Sequence, residues 1–204
     1  MADFWMEKKI VDRGFKAIAG VDEAGRGALL GPVVAAAVIL PCSIMREELV
    51  DWVEEINDSK LISSLKRKKL TKIILTHAVS VGFGLASNHE IDQRNIYWAS
   101  LIAMRRAVEN MPLNPDFLLV DGFSLNGVNY PQIGVPKGDR KSITIAAASI
   151  VAKVLRDEMM VRLDKVYEGY ALSKNKGYGT KEHYRALKKM GPTALHRMSF
   201  NLKH

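Results

Sequence analysis

The chain has 204 residues, of which 48% are hydrophobic and 25% are charged. These proportions exclude collagen-like, low-complexity and intrinsically disordered chains. The single cysteine, Cys42, excludes an internal disulfide and a cysteine-based zinc site. The longest apolar run, 32–42, is shorter than the ~20 residues that a membrane-spanning helix needs, and no signal-peptide pattern opens the chain. We therefore expect a single cytoplasmic domain over residues 1–204, with no membrane association.

The positive charge is concentrated in the last third of the chain. Residues 1–136 carry 15 Lys and Arg against 16 Asp and Glu, whereas residues 137–204 carry 15 against 6. A basic region on a neutral body is typical of proteins that bind the phosphate backbone of nucleic acids, although it also serves solubility. The charge distribution therefore nominates a nucleic acid as the partner, and nothing in it indicates an obligate protein partner.

Strands and helices are predicted to alternate along the chain. Four segments have the composition of strands: 16–22, 33–40, 78–86 and 117–120. The second of these is apolar on both faces, which predicts a central position in a covered sheet. Five segments are predicted as helices: 63–78, 88–111, 142–167, a short piece after 180, and another around 192–197. This order predicts an α/β fold, with a mixed sheet flanked by helices and a helical C-terminal portion.

Acidic residues end two of the predicted strands. Asp22 and Glu23 follow the first strand, and Asp121 follows the buried strand 117–120. Crowded carboxylates repel each other unless a cation compensates the charge, and Mg²⁺ or Mn²⁺ takes oxygen ligands from carboxylates and substrate phosphates. Successive side chains of a strand point to opposite faces, so Asp22 and Glu23 can share a site only if the strand curls. The alternative interpretation is a pair of solvated acids in a turn.

A glycine-rich segment follows the first two acids. The spacing of Gly25, Gly27 and Gly31 is related to that of dinucleotide-binding loops, but Pro32 and an alanine-rich strand follow where such a loop needs a helix. Glycines on both sides of Arg26 instead allow backbone N–H groups to approach an anionic or hydroxyl-bearing ligand closely. We therefore favour a ligand-binding loop over a cofactor site, with a plain glycine turn as the alternative.

A series of short blocks resembles the signature of the ribonuclease HII family. The blocks are GVDEAGRGALLGPVVAAAVIL at 20–40, DSK at 58–60, EID at 90–92 with NI at 95–96, VDG at 120–122, KGD at 137–139, AAASIVAK at 146–153 with RD at 156–157, GYGT at 177–180, and GP at 191–192 with HRMSF at 196–200. Their shared order along nearly the whole chain makes the resemblance specific. Ala28 and Leu30 depart from the residues common in the family, as do residues 61–62, and these departures affect only loop shape.

The resemblance implies a ribonuclease H-like fold and a nuclease function. The expected enzyme is an endonuclease that hydrolyses the RNA strand of RNA–DNA hybrids and incises duplex DNA 5′ of embedded ribonucleotides. It also implies two divalent ions, Mg²⁺ or Mn²⁺, and products with 3′-hydroxyl and 5′-phosphate ends. Only 19 residues precede the first block, so we do not expect the additional N-terminal domain of the related ribonuclease HIII.

The family binds its two ions with four carboxylates. Asp22, Glu23 and Asp121 match the first three by motif. Asp139 is the preferred fourth because it lies just before the start of the helix at 142–167. Asp157 is the alternative, but it lies 15 residues beyond Ser142, which is ~22 Å along the helix axis. If Asp139 is the ligand, we expect Asp157 to have a structural role, paired with a neighbouring Lys or Arg.

In the family, a Gly-Arg-Gly segment and the tyrosine of a Gly-Tyr-Gly segment recognise the junction between RNA and DNA. The matching positions here are Gly25, Arg26, Gly27 and Tyr178. Tyrosine suits the role, because its ring packs against a sugar and its hydroxyl forms a hydrogen bond. The group to be recognised is the 2′-hydroxyl, which distinguishes RNA from DNA at a given position.

The residues from about 165 to 204 are expected to form a helical, basic portion that binds substrate. Lys188 and Lys189 are candidates for phosphate contacts there, whereas His183 is interpreted as a residue of the helix surface. A rival hypothesis is a non-catalytic nucleic-acid-binding module in which the acids are structural. The presence of acids at all four motif positions argues against it.

Overall fold

The computed structural model describes residues 2–46, 51–56 and 63–203. The DSK motif at 58–60 and its continuation at 61–62 lie outside the described residues. One five-stranded sheet is present in the described chain, formed by β1 (Ile18–Ala24), β2 (Val33–Ile39), β3 (Ser80–Ala86), β4 (Phe117–Asp121) and β5 (Gln132–Val135). The strand order is β3-β2-β1-β4-β5; β1, β2 and β3 pair antiparallel, whereas β1, β4 and β5 pair parallel. The predicted mixed sheet is confirmed.

Helices flank this sheet and make up most of the C-terminal third. They are α1 (Trp5–Val11), α2 (Ser43–Arg46), α3 (Asp51–Glu54), α4 (Ser64–His77), α5 (Asn88–Glu109), α6 (Ile143–Asp164), α7 (Leu172–Asn175) and α8 (Lys181–Met190), with a 3-10 turn at Gly138–Arg140. Within the described parts of the chain, none of the helices has both the length and the hydropathy needed to cross a membrane.

The sheet is covered on both faces. α6 packs against β1 and β2 on one face, and α5 packs against β2 and β3 on the other. Every residue of β2 is buried, as the unbroken apolar run of its sequence predicts. Removal of these two apolar faces from water supplies the main driving force for the fold.

A glycine in β1 permits close packing of α6. A Cβ atom at Gly20 would lie 2.1 Å from the main-chain carbonyl carbon of Thr144, so any other residue would push the helix away. The start of α6 is also anchored by the buried Glu7, whose Oε1 accepts hydrogen bonds from the Ser142 and Thr144 hydroxyls at 2.6 and 2.7 Å. The segment that carries Asp139 therefore enters α6 close to the sheet.

One predicted helix is wrong. The segment at 192–197 forms turns and extended chain rather than a helix. Leu30 and His196 form an antiparallel β-bridge, the Gly31 N–H donates to the Leu195 carbonyl, and the Arg197 N–H donates to the Leu29 carbonyl, both at 2.9 Å. Pairing with the loop at 28–31 thus uses backbone groups that a helix would have needed for itself.

Candidate metal and substrate site

Three of the predicted acids converge where β1 and β4 end. One carboxylate oxygen from each of Asp22, Glu23 and Asp121 lies within 4.8 Å of the other two. β1 pairs with β4 only as far as Val21, so the chain from Asp22 onward has no β4 neighbour. The Asp22 carboxylate accepts a hydrogen bond from the Glu23 N–H at 2.7 Å. Both acids still belong to β1, which pairs with β2 as far as Ala24, yet a carboxylate oxygen of each lies within reach of Asp121.

These acids are largely removed from water. Asp22 is 5% exposed, and burial, reinforced by the negative charges of Glu23 and Asp121, raises its pKa well above the usual range. Burial also raises the pKa of Glu23, although the Arg26 guanidinium, 3.2 Å away, opposes this shift. Glu23 Oε2 is buried and lacks a hydrogen-bond partner among the described residues. Buried, mutually repelling carboxylates with an unsatisfied oxygen fit a divalent cation, because its charge would compensate theirs.

Asp139 reaches the same region from the 3-10 turn. The Gly138 N–H donates to Oδ1 of Asp121 at 2.6 Å, which ties the turn to the end of β4. Asp139 is 5% exposed and lines the same cavity as Asp22, Glu23 and Asp121. The four acids therefore share one cavity although they come from three separate parts of the chain.

Asp157, the alternative fourth acid, has different surroundings. It is absent from the lining of this cavity, and its Oδ1 lies 2.8 Å from Nζ of Lys153, one turn earlier in α6. Lys153 itself does line the cavity, as does Ser149 one turn before it, whose side chain forms a hydrogen bond with Asp22. This contribution of α6 was not among the predicted site residues. The available signal was the polar pair Ser149 and Lys153, four residues apart on one face of an apolar helix.

All eight of the site residues predicted from the motifs line one cavity. Its volume is about 520 Å³, and its lining includes the four acids together with the four predicted recognition residues, Gly25, Arg26, Gly27 and Tyr178. A cavity of this size that combines acidic and hydroxyl groups is suited to a polar ligand rather than to an apolar one.

The glycine loop is held from behind by Arg197, which is fully buried. Its Nε donates to the Gly31 carbonyl at 2.9 Å, and its two terminal nitrogens donate to the Gly25 and Arg26 carbonyls at 2.8 Å each. Gly25 has a φ of +99°, and a Cβ atom there would lie 2.0 Å from Nε of Arg156. Only glycine fits this position, both for its backbone conformation and for its space.

Arg156 joins the glycine loop to the segment of Tyr178. It is fully buried and donates to the carbonyls of Pro32, Leu30 and Lys176 at 3.1, 3.1 and 2.9 Å. Its guanidinium carbon lies 5.3 Å from the centre of the Tyr178 ring, and Lys153 Nζ lies 5.2 Å from it on α6. Two cations therefore contact the ring.

Main-chain pairing also fixes the position of Tyr178. Ala28 and Tyr178 form an antiparallel bridge, and the Leu29 N–H donates to the Gly177 carbonyl at 2.8 Å. The two segments that sequence analysis selected for substrate recognition, 150 residues apart, are thus neighbours in one small sheet-like arrangement.

One interpretation of the C-terminal region is wrong: His183 is not a surface residue of its helix. It is completely buried, as is His196, and the two imidazoles contact each other.

Asp92, part of the EID block, binds the C-terminal segment. Its carboxylate accepts hydrogen bonds from the N–H groups of Met198 and Ser199 at 3.0 and 2.9 Å. This block holds the C-terminal segment in place.

The architecture is that of a ribonuclease H-like protein. The structure is similar to the crystal structure of ribonuclease H2 from Pyrococcus horikoshii OT3, with a TM-score of 0.72 and 23% sequence identity over 91% of this chain and 94% of that chain. It is also similar to the crystal structure of Bst-RNase HIII in complex with Mn²⁺, with a TM-score of 0.66 and 17% identity over 92% of this chain and 68% of that chain. Both similarities concern the fold.

Sequence relatives identify the family. Residues 19–203 match the family model described as Ribonuclease HII. The Ribonuclease HII of Caldanaerobacter subterraneus subsp. tengcongensis is 50% identical over 194 residues, which cover 95% of this chain and 78% of that protein. The chain belongs to the ribonuclease HII family, as its motif blocks predict. It is therefore a hydrolase, an endoribonuclease that acts on the RNA of RNA–DNA hybrids, in a family that depends on divalent metal ions.

Proposed function

We propose that this enzyme, besides cutting the RNA strand of hybrids, incises duplex DNA on the 5′ side of single embedded ribonucleotides and leaves 3′-hydroxyl and 5′-phosphate ends. The observation that carries the proposal is the shared cavity of about 520 Å³, in which four acids lie beside the glycine loop and Tyr178. Ion binding and sugar recognition can therefore occur in one place.

The ligands that we assign to two divalent ions are Asp22, Glu23, Asp121 and Asp139. When bound, such a pair of ions would supply an activated water and charge stabilisation for the leaving oxygen of a phosphodiester. Asp22 would be the central ligand of this set, because its carboxylate lies with those of Glu23 and Asp121 in one cluster of oxygens. Mg²⁺ and Mn²⁺ both suit carboxylate ligands, and the Mn²⁺ complex of Bst-RNase HIII, which has a similar fold, is in keeping with this assignment.

The cations near these acids have separate tasks. Asp157 keeps Lys153 at the cavity through their 2.8 Å ion pair, and Lys153 offers its charge to a substrate phosphate. Arg26, half exposed and paired with Glu23 at 3.2 Å, lies at the mouth of the glycine loop, where a nucleic-acid strand would pass. Positive charge beside the acids lowers the cost of bringing a phosphate to them.

Discrimination of ribose from deoxyribose is assigned to residues 25–27 and Tyr178. The loop offers main-chain groups on flexible glycines that are braced from behind, and the tyrosine offers a ring and a hydroxyl. Its ring is supported by Lys153 and Arg156, both slightly more than 5 Å from its centre. Because the loop and the tyrosine are both held in place by the protein, they can contact the 2′-hydroxyl without a conformational change.

The remaining substrate contacts are assigned to the basic C-terminal portion, within one catalytic domain that spans residues 1–204. Lys188 and Lys189 are exposed at the end of α8. Phosphate contacts of this type increase affinity for any duplex and position it without reading sequence.

The test uses a duplex DNA that contains one ribonucleotide, with an all-DNA duplex of the same sequence as the control. With Mg²⁺ or Mn²⁺ we expect a single cut 5′ of the ribonucleotide in the first duplex and none in the second. Addition of a chelator should stop the reaction, and end-labelling should identify 3′-hydroxyl and 5′-phosphate termini. Absence of the cut, or a cut that continues in chelator, would refute the proposal.

A further inference from the structure

Two buried histidines connect the C-terminal segment to Tyr178. His183 in α8 and His196 in the segment at 192–197 are 0% and 1% exposed. Their Nε2 atoms lie 3.1 Å apart. The Tyr170 ring contacts both imidazoles, edge-on to His183 and tilted to His196, with centroid distances of 6.1 and 5.3 Å.

Main-chain groups at both ends determine where the protons lie. His183 Nδ1 lies 3.0 Å from the Tyr178 carbonyl, which can only accept, so Nδ1 carries a proton. His196 Nδ1 lies 2.8 Å from the Thr193 N–H, which can only donate, so this nitrogen is bare. In two neutral rings, His196 Nε2–H must then donate to the bare Nε2 of His183. The chain of hydrogen bonds therefore runs in one direction, from Thr193 to Tyr178.

An additional proton on either free ring nitrogen would face a hydrogen-bond donor, although the Thr193 hydroxyl oxygen also lies 3.0 Å from His196 Nδ1. A proton on His183 Nε2 would face the N–H of His196 across 3.1 Å, and one on His196 Nδ1 would face the Thr193 N–H across 2.8 Å. Burial lowers the pKa of both histidines, and that of His196 falls to about 4. At neutral pH both rings are therefore uncharged, each in a single tautomer.

We propose that His183 is a positioning residue for Tyr178, and that His196 keeps His183 in the tautomer that can hold the Tyr178 carbonyl. The inference rests on the proposed role of Tyr178 in reading the ribose. Apart from this bond, the carbonyl accepts, among the residues that the structure describes, only a local hydrogen bond from the Thr180 N–H at 2.8 Å. His183 therefore supplies a buried side-chain tie to the main chain of the tyrosine, in addition to the bridge between Ala28 and Tyr178 and the contact of Arg156 with the ring.

The position of His196 in the sequence extends this role to the glycine loop. Arg197, the next residue, holds the Gly25 and Arg26 carbonyls through its guanidinium. The adjacent residues His196 and Arg197 thus hold the two parts of the proposed recognition site. His196 acts on Tyr178 through His183, and Arg197 binds the glycine loop directly. Displacement of a substrate-binding group by about 1 Å can cost about a hundredfold in rate, so such ties affect function without touching substrate.

The activity test compares kcat/KM on two substrates, a duplex with one embedded ribonucleotide and a long RNA–DNA hybrid. H183L removes the bond to Tyr178, and we expect a loss of about ten- to hundredfold on the single ribonucleotide and of less than about threefold on the hybrid. In a Tyr178→Ala background the same substitution should cost less than about threefold, because residues that act through one another are not additive. Additive losses, or equal losses on both substrates, would overturn the proposal.

Conservative variants separate positioning from packing. The amide nitrogen of H183N takes the place of Nδ1 and can still donate to the Tyr178 carbonyl, whereas that of H183Q takes the place of Nε2 and cannot. H183N should therefore restore most of the activity that H183Q and H183L lose. The comparison of H183N with H183Q also remains valid if H183L unfolds below the assay temperature. Equal activity of H183N and H183Q would overturn the positioning role.

A spectroscopic measurement tests the pair without reference to nuclease activity. Imidazole ¹H–¹⁵N correlation spectra at neutral pH should show a protonated Nδ1 on His183 and a protonated Nε2 on His196. The opposite tautomer on His183 would overturn the inference. Failure of the wild-type enzyme to cut at an embedded ribonucleotide would instead refute the proposed function, so the two failures are distinguishable.

Discussion

Replacement of Asp22 with Asn should stabilise the metal-free protein while abolishing its activity. Asp22 is buried and is repelled by Glu23 and Asp121. Asn has nearly the same shape, and its amide oxygen can still accept the hydrogen bond that the Glu23 N–H donates at 2.7 Å. The substitution therefore removes a negative charge with little change in packing, and it removes a metal ligand at the same time.

The size of the effect follows from the separation of the charges. Two unit charges 4.8 Å apart, the limit for the ligand oxygens here, repel by about 3.5 kcal/mol at an effective dielectric constant of about 20 and by about 0.9 kcal/mol in water. We therefore expect a gain in the free energy of unfolding of about 1–3 kcal/mol for metal-free Asp22→Asn. At about 2–4 °C per kcal/mol for a chain of this size, Tm should rise by roughly 2–12 °C.

The pH dependence of this gain has a definite sign. Because the pKa of Asp22 is raised in the folded protein, the folded state holds its proton at pH values where the unfolded chain has lost it. The wild type therefore loses stability relative to the variant as the pH rises through the folded pKa of Asp22. Below the unfolded pKa of about 3.9 the carboxyl is neutral in both states and the difference should vanish.

The assay is thermal unfolding followed by circular dichroism, in chelator and in Mg²⁺ or Mn²⁺, with nuclease activity measured in parallel. Asp157→Asn is the matched control, since it removes the same charge from a residue outside the cavity lining. We expect a higher Tm in chelator only for Asp22→Asn, and a smaller increase on metal addition than in the wild type. A lower Tm for metal-free Asp22→Asn, or an undiminished response to metal, would refute the reasoning.

Three further predictions concern the fourth acid, the recognition tyrosine and the basic portion. Asp139→Asn should abolish cleavage and Asp157→Asn should reduce it only modestly; the reverse result, with both proteins folded, would make Asp157 the ligand. Tyr178→Ala should reduce incision at a single ribonucleotide by about ten- to hundredfold and affect a long hybrid less, because the loss of one good contact is worth ~1–3 kcal/mol; equal effects on both substrates would assign discrimination elsewhere. Neutralising Lys188 and Lys189 together should weaken binding to every duplex and flatten its dependence on salt, whereas an unchanged salt slope would mean that neither lysine contacts phosphate.

Local sequence patterns were sufficient to predict the centre of the molecule. The uninterrupted apolar run of β2 predicts a strand covered on both faces, because only a buried strand tolerates such a composition, and every residue of β2 is buried. Asp22 and Asp121 could be selected as site residues because each follows a run of buried strand residues, and β1 and β4 are parallel neighbours that place these positions side by side.

Other parts of the candidate site depended on contacts that no local pattern contains. Whether Asp22 and Glu23 share a site was open in the sequence, and it is answered by Asp121 at the end of β4, since one carboxylate oxygen of each of the three residues lies within 4.8 Å of the others. The choice between Asp139 and Asp157 is informed by the cavity, which Asp139 lines and Asp157 does not. In both cases the informative feature is the position of an element far away in sequence.

The C-terminal segment shows the same limit most clearly. Its local composition favours a helix at 192–197, yet backbone pairing with the loop at 28–31 produces an extended chain. His183 has the sequence context of an exposed helical residue, but His196 packs against it and both are buried. Sequence alone determined the family motifs and the central strands, because these depend on local composition and order. Tertiary structure decided the burial of His183 and the bracing by Arg197, because a hydrogen bond between residues more than 160 positions apart forms only once the chain has folded around it.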